Sequence, residues 1–269
     1  MPPIKRAEAG ADTAKGSEID PAQFEQLKNL SKEFLSSEIV IERHAIKESQ
    51  PLYEKRRTVL KGMPGFWPRV FGSTRTAMAA VLALDEDQEA IKYLEDVWIV
   101  RDAAEPRVFT IELYFKENPF FSNSVLKKVY KYTPAKEKTE KTEVDANGIT
   151  EAAIDFDWEE DVTAEAFQIT WKDEAHNLTK KYPASIGKDE GDDEEFIEEF
   201  GSFFNFFENA KDFADLGPVI GTELFPDAIQ LYINPDEDDE DFTDDDEEDE
   251  DDDEEIDLEQ PKRKKAKKV

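Results

Sequence analysis

The chain has 269 residues, and 66 Asp and Glu against 34 Lys and Arg give it a formal charge of −32. It has no cysteine and two histidines, which excludes a disulfide framework, a thiolate zinc site, a cysteine nucleophile and a histidine-rich metal centre. No apolar window of about 18 residues is present and Met1-Pro2-Pro3-Ile4-Lys5-Arg6 lacks an apolar core, so neither a membrane span nor a secretory signal is expected.

Residues 1–18 are small and polar and are expected to be disordered. Residues 19–63 read as one long helix. Asp20-Pro21 supplies an N-cap and a first-turn proline. Leu27, Leu30, Phe34, Ile41, Ala45, Leu52, Val59 and Met63 form one apolar row, and Leu35, Ile39, Ile46, Tyr53 and Leu60 form a second. At 1.5 Å per residue such a helix is about 60 Å long, more than a small domain can cover. No comparable helix follows, so pairing with a second copy is expected, with Leu27, Leu30, Phe34, Ile41, Ala45, Leu52 and Val59 at the dimer seam. Pro51 should kink the helix.

Residues 64–235 are expected to form an α+β domain. A short helix is expected at Ala77–Leu84 and another at Gln88–Glu95, opened by Asp85-Glu86-Asp87. The period then changes. Val97 and Ile99, Val108–Phe115, Val125–Tyr132 and Ala166–Trp171 read as four antiparallel strands, with one face packed on helices. The polar segment 134–164 has a turn at Asn147-Gly148 and room for a further hairpin. Phe196, Phe200, Phe203, Phe204 and Phe207 fall on one helical face and read as core. Two short helices, Leu216–Phe225 and Pro226–Tyr232, complete the cover of the sheet.

Residues 236–259 hold 20 acids and no base, and are expected to be a disordered acidic tail. Residues 1–235 still carry 46 acids against 28 bases. That field argues against direct, specific nucleic-acid binding, which needs cations to displace counterions from phosphates, and it favours cationic partners. Lys262, Arg263, Lys264, Lys265, Lys267 and Lys268, within residues 260–269, look like a single-cluster nuclear import signal, and the nucleus is the expected location. The segment could also fold back on the acids.

Catalytic patterns do not stand out. There is no Walker A loop, dinucleotide glycine fingerprint, His-Glu-x-x-His or Gly-x-Ser-x-Gly. Glu143-Val144-Asp145-Ala146-Asn147-Gly148 echoes a calcium loop but fails at its first and twelfth ligands, so a turn is expected. His44 reads as a surface or interface histidine. No metal, cofactor or membrane partner is implied.

Several patterns occur in order: Gln50-Pro51 with Lys55-Arg56, Pro64-Gly65-Phe66-Trp67, Asp85-Glu86 with Tyr93-Leu94, and Glu117-Asn118-Pro119-Phe120-Phe121-Ser122-Asn123 with Leu126-Lys127-Lys128. Ile169-Thr170-Trp171-Lys172, Asn177-Leu178-Thr179, Ser202-Phe203-Phe204-Asn205-Phe206-Phe207 and Leu231-Tyr232 follow. Over about residues 20–235 this resembles the nucleosome assembly protein family, and within it the SET-like branch. The resemblance implies a long dimerisation helix joined to an earmuff domain, a four-stranded antiparallel sheet backed by helices. It also implies a histone chaperone, a homodimer that binds core histones and shields them from DNA. Glu159, Glu160, Asp161, Asp192, Asp193, Glu194, Glu195, Glu198 and Glu199 are the candidate histone-binding acids. Asn118-Pro119-Phe120-Phe121 reads as a structural turn. The chain departs from the family at Gly72-Ser73-Thr74-Arg75, where an Asn-His-Pro-like turn is common, and in the length of segment 134–164.

Two other functions fit parts of the sequence. Regulation of an enzyme, as a phosphatase inhibitor or a cofactor of a histone acetyltransferase, is implied by the SET-like resemblance. A calcium buffer would use the acidic run but leaves the long helix unexplained.

Overall fold

The computed structural model describes residues 20–102, 105–140, 142–188, 195–212 and 214–235. The expectations for residues 1–18, 236–259 and 260–269 lie outside them. Helix α1 runs over Pro21–Leu60, 40 residues, and the Asp20 carboxylate accepts from the Ala22 N–H at its start. It continues through Pro51, which cannot donate to the Lys47 carbonyl. A turn at Gly62-Met63 leads to Gly65, whose φ of 82° suits glycine, and α2 (Phe66–Phe71) begins there. Helices α3 (Met78–Val81) and α4 (Asp85–Ile91) follow.

Strands β1 (Leu94–Arg101), β2 (Phe109–Phe115), β3 (Val125–Tyr132) and β4 (Val162–Glu165) form one antiparallel sheet in chain order. Leu113 stands opposite Val97 on one side and Leu126 on the other. Along β2, Phe109, Ile111, Leu113 and Phe115 are buried, alternating with half-buried Thr110, Glu112 and Tyr114. This period of two puts one face in the core. The segment between β3 and β4 holds α5 (Lys136–Thr139), α6 (Glu151–Ile154) and α7 (Trp158–Asp161). Its turn is closed by a single bridge between Val144 and Thr150, with Gly148 at φ 76°. After β4 come α8 (Leu178–Lys181), β5 (Ser185–Lys188), β6 (Glu195–Glu199), α9 (Asn205–Glu208), α10 (Leu216–Pro218), a π-helical segment (Val219–Leu224) and α11 (Phe225–Ile233).

The core joins α2, the sheet and the C-terminal helices through Phe66, Trp67, Phe71, Phe109, Phe203, Phe207 and Phe225. Helix α10 lies so close to the sheet that a Cβ on Gly217 would stand 1.9 Å from the Tyr130 hydroxyl. That hydroxyl donates to Asp212, whose carboxylate also accepts from the Leu216 and Gly217 N–H groups. Lys128 is fully buried on the core face, and its ammonium donates to the Asn209 carbonyl at 2.6 Å. Burial pushes its pKa down to about 8, against the pull of Asp212.

Several expected elements are corrected. The fourth strand is Val162–Glu165, not Ala166–Trp171. The latter has strand composition, but its N–H groups go elsewhere: Phe167 to the Phe207 carbonyl, Ile169 to Glu208, and Thr170 to Asn123. Only Trp171 bridges, to Phe121. The phenylalanine row is not a helix. Its first part is β6, paired with β5, and Gly201 at φ 63° ends the strand. Phe203, Phe204 and Phe207 are nonetheless core, as expected. Helix α3 is shorter than Ala77–Leu84, and α4 stops at Ile91 because Leu94 already pairs with Phe115. The two C-terminal helices form one continuous helical run through the π-helical segment.

Asn118 has the structural role expected of it. Its Oδ1 accepts from the Phe120 and Phe121 N–H groups at 2.9 and 3.0 Å, and both rings are buried. Asp87 is a second buried anchor: its carboxylate accepts from the Ser202 hydroxyl at 2.6 Å and the Phe203 N–H at 2.7 Å. Burial pushes its pKa up to about 6, although both hydrogen bonds act the other way. The folded state therefore holds this proton more tightly than the unfolded one. Its contribution is largest at low pH and is lost as pH rises from about 4 to about 6. In Asp87→Asn the amide oxygen keeps the Phe203 N–H and Ser202 can turn to accept. Relative to that variant, the natural chain should lose up to about 3 kcal/mol between pH 4 and pH 7, measured by urea unfolding. An unchanged difference would show that the site is better solvated than its burial implies.

Candidate functional site

The two apolar rows of α1 have different fates. Ile39 and Leu60 are buried, and Ile46 and Tyr53 are partly buried, so from Ile39 onward this row faces the chain's own domain, while Leu35 at its start is 42% exposed. The other row is open as far as Val59, and its last member, Met63, packs partly buried against the domain core. Leu27, Leu30, Phe34, Ile41, Leu52 and Val59 are 47–67% exposed, and Ala45 is exposed with them. A row this long is a large apolar surface for a single chain to leave in water.

The middle of α1 is held by the segment between β3 and β4. Ile39 packs with Ile149 and Ala153 in a small core of its own. Beside it, Lys32 pairs with Glu151 at 2.6 Å, and Asn147 Nδ2 donates to the Oγ of fully buried Ser36 at 2.9 Å. Ser36 and the N–H groups of Ile149 and Asn147 hold the Asp145 carboxyl below the usual range, so the calcium-like stretch is built as a turn. Arg107 grips Glu105 with two hydrogen bonds of 2.7 Å and donates to the Ala153 carbonyl, and Arg43 of α1 reaches the same Glu105 at 3.5 Å.

The same segment carries the folded acids. Glu159 and Glu160 are exposed, as are Asp155 and Asp157. Asp161 is not part of that surface: it is 1% exposed and pairs with Lys138 at 2.8 Å. Burial opposes its charge, yet the Lys138 ammonium and the Asp157 N–H hold it below the usual carboxylate range. Asp192, Asp193 and Glu194 lie outside the described residues. Glu195, Glu198 and Glu199 lie on β6, and Glu199 is exposed. The import-like cluster Lys262, Arg263, Lys264, Lys265, Lys267 and Lys268 lies outside the described residues.

Asp155 and Asp157 share that surface, although the sequence reading did not single them out. Phe156 and Trp158 alternate with them and pack on Tyr132, Phe109 and Tyr130, which turns the intervening acids outward. Acids of the sheet are largely compensated instead. Glu112 pairs with Lys127 at 2.7 Å, Glu165 with Lys131, and Asp96 with Arg57. Arg57 also lies over the Trp98 and Tyr114 rings. His44 is exposed on α1, and His176 sits against Asp173 at 2.8 Å. Among the described residues no group of three His, Cys, Asp or Glu could hold a metal, and no helix is long and apolar enough to cross a membrane.

A family model described as nucleosome assembly protein (NAP) matches residues 32–262. The chain belongs to the nucleosome assembly protein family. It is 26% identical over 225 residues to human Protein SETSIP, covering 83% of this chain and 67% of that protein. It is 30% identical over 204 residues to the NAP1-related protein 1 of Arabidopsis thaliana, covering 72% of this chain and 66% of the relative. Among solved structures, the crystal structure of Ccp1 aligns with a TM-score of 0.55 at 25% identity, over 80% of this chain and 97% of that one. The long helix and the four-stranded sheet backed by helices are thus the nucleosome assembly protein architecture that the sequence motifs implied.

Proposed function

We propose that this chain is a histone chaperone, a carrier rather than an enzyme, that works as a homodimer in the nucleus. The observation that carries the reading is the family match over most of a chain with a net charge of −32. Free histones are strongly basic and bind DNA through their Lys and Arg. A carrier occupies those cations first and delivers the histones for nucleosome assembly. Asp155, Asp157, Glu159, Glu160 and Glu199 supply acids on the folded part, and Asp192, Asp193, Glu194, Glu195 and Glu198 extend the set in sequence. The acid-rich residues 236–259 strengthen the field, and the basic cluster at residues 262–268 serves nuclear import.

An exposed ion pair contributes about 0–1 kcal/mol, so affinity must be distributed over many acids. Such binding tolerates single changes and exchanges easily, which suits a carrier that releases its cargo. Raising the ionic strength from about 0.15 M to about 1 M shortens the Debye length from about 8 Å to about 3 Å. Affinity for a core histone pair should fall by roughly a hundredfold or more over that range in a fluorescence titration. Salt-independent binding would overturn the electrostatic account. Removing residues 236–259 should slow capture in stopped-flow mixing and leave the two-chain state intact by light scattering. A single-chain truncation would contradict that division of labour.

A further inference from the structure

Helices α2, α3 and α4 enclose a groove of about 480 Å³ on the earmuff domain. Its volume falls in the range of ligand and peptide sites. Leu82 and Ile91, 4% and 3% exposed, form part of its floor, and Pro68 and Ala79 line its walls. The two charged residues in the lining are cations, Arg69 and Lys92, and no carboxylate lines it. On a chain with a net charge of −32, and beside the acids of α4, a lining whose charged residues are both cations stands out. Arg69 is exposed and makes no ion pair among the described residues; its guanidinium lies 5.1 Å above the Tyr232 ring, which holds it in place. Lys92 pairs with Glu89, but both side chains are more than half exposed, so the ammonium can change partner at little cost.

We propose that this groove docks an acidic peptide segment of a partner protein, which buries a Leu or Phe on Leu82 and Ile91 while its carboxylates engage Arg69 and Lys92. Charge selects the occupant. A basic segment, the class of cargo proposed above, is repelled by both rim cations and drawn to the acids elsewhere. A neutral apolar segment gains the floor but leaves the cations unused. The groove therefore serves a partner of opposite character to histones, and the two can bind at once. This reading does not rest on the chaperone proposal.

The test uses the full chain and a fluorescein-labelled synthetic peptide of Asp and Glu carrying one Leu and one Phe. Two control peptides replace either the acids by Lys or the Leu and Phe by Ser. Fluorescence anisotropy at physiological salt should show saturable binding of the first peptide and at least roughly tenfold weaker binding of both controls. Arg69→Glu and Lys92→Glu should each weaken the first peptide by roughly tenfold, and Ala79→Phe, which fills the groove without altering charge, should do the same. Lys136→Glu, an exposed charge reversal on α5, should leave it unchanged. Circular dichroism melts identify any variant that fails to fold, and the remaining ones decide. Histone capture should be unaffected in every folded variant. No saturable binding by the natural chain, equal binding of the Lys peptide, or insensitivity to both rim reversals and to Ala79→Phe would overturn the proposal.

Discussion

Phe34→Asp combined with Ile41→Asp should turn a two-chain particle into single chains. Both residues lie on the open row of α1, at 63% and 67% exposure, seven positions apart on one helical face. Burial of a large apolar side chain is worth about 1.5–3 kcal/mol, and a symmetric pair buries each residue twice. The double change therefore removes about 6 kcal/mol or more, before the cost of desolvating the new carboxylates. At about 1.4 kcal/mol per decade the dissociation constant rises by about four orders of magnitude. Light scattering at micromolar concentration should show two chains before the change and one after it. The domain itself should survive, because its hold on α1 uses Ile39, Tyr53 and Leu60 instead. Ile39→Ala gives the reciprocal result: the segment between β3 and β4 loosens while two chains persist. A two-chain double variant would place the seam elsewhere.

Helical spacing revealed both rows of α1 in the sequence, and the row expected at the seam is the one the domain leaves open, but spacing alone gives no reason for that division. Which row a chain covers itself depends on where distant segments return. Ile39 is met by Ile149 and Ala153, and Tyr53 by Phe225, all more than a hundred positions away. Strands β1 to β3 were legible because their alternation is clean and their register partners are close in sequence. The fourth was misplaced because Ala166–Trp171 and Val162–Glu165 are both compatible with a strand. The ladder went to the one that α7 delivers beside β3, where Ala164 stands opposite Tyr130. The phenylalanine row failed differently. Its offsets fit a helix, but Gly201 at positive φ and the pairing of β6 with β5 decide the backbone there. Asp161 illustrates the limit for charges. In sequence it is one acid in a run of three, and only the fold brings Lys138 to it and removes it from the surface.

Arg56→Ala should be the most damaging single change at the junction of α1 and the domain. Arg56 is 9% exposed and, among the described residues, has no carboxylate in hydrogen-bond reach. One nitrogen of its guanidinium, Nη1, is met by main chain instead, donating to the Phe225 carbonyl at 2.6 Å and the Pro226 carbonyl at 3.1 Å, while the buried Nη2 has no hydrogen-bond partner among the described residues. It also lies against the Tyr53, Trp67 and Phe225 rings at 4.8, 5.6 and 4.4 Å. Burial lowers its pKa, but a guanidinium stays charged in proteins. Those carbonyls open α11, where the π-helical segment ends, so one side chain fastens the long helix to the C-terminal helices. Alanine leaves a cavity among three aromatic rings and removes the donor from both carbonyls, a loss of about 3–5 kcal/mol in urea unfolding. Lysine keeps the charge but loses the flat guanidinium that stacks on the three rings, and should cost less than alanine but remain clearly measurable. Methionine fills most of the volume without burying a charge, and should be the mildest of the three. That order separates packing from hydrogen bonding: methionine as harmful as alanine would make the two carbonyls decisive, and alanine within about 1 kcal/mol of the natural chain would remove Arg56 from the junction altogether. The consequence for the proposed function follows from rigidity. Loosening α1 changes no surface charge, yet it frees the C-terminal helices and the sheet to shift against the helix proposed to pair the chains. Histone capture should weaken in Arg56→Lys, while its salt dependence stays that of the natural chain.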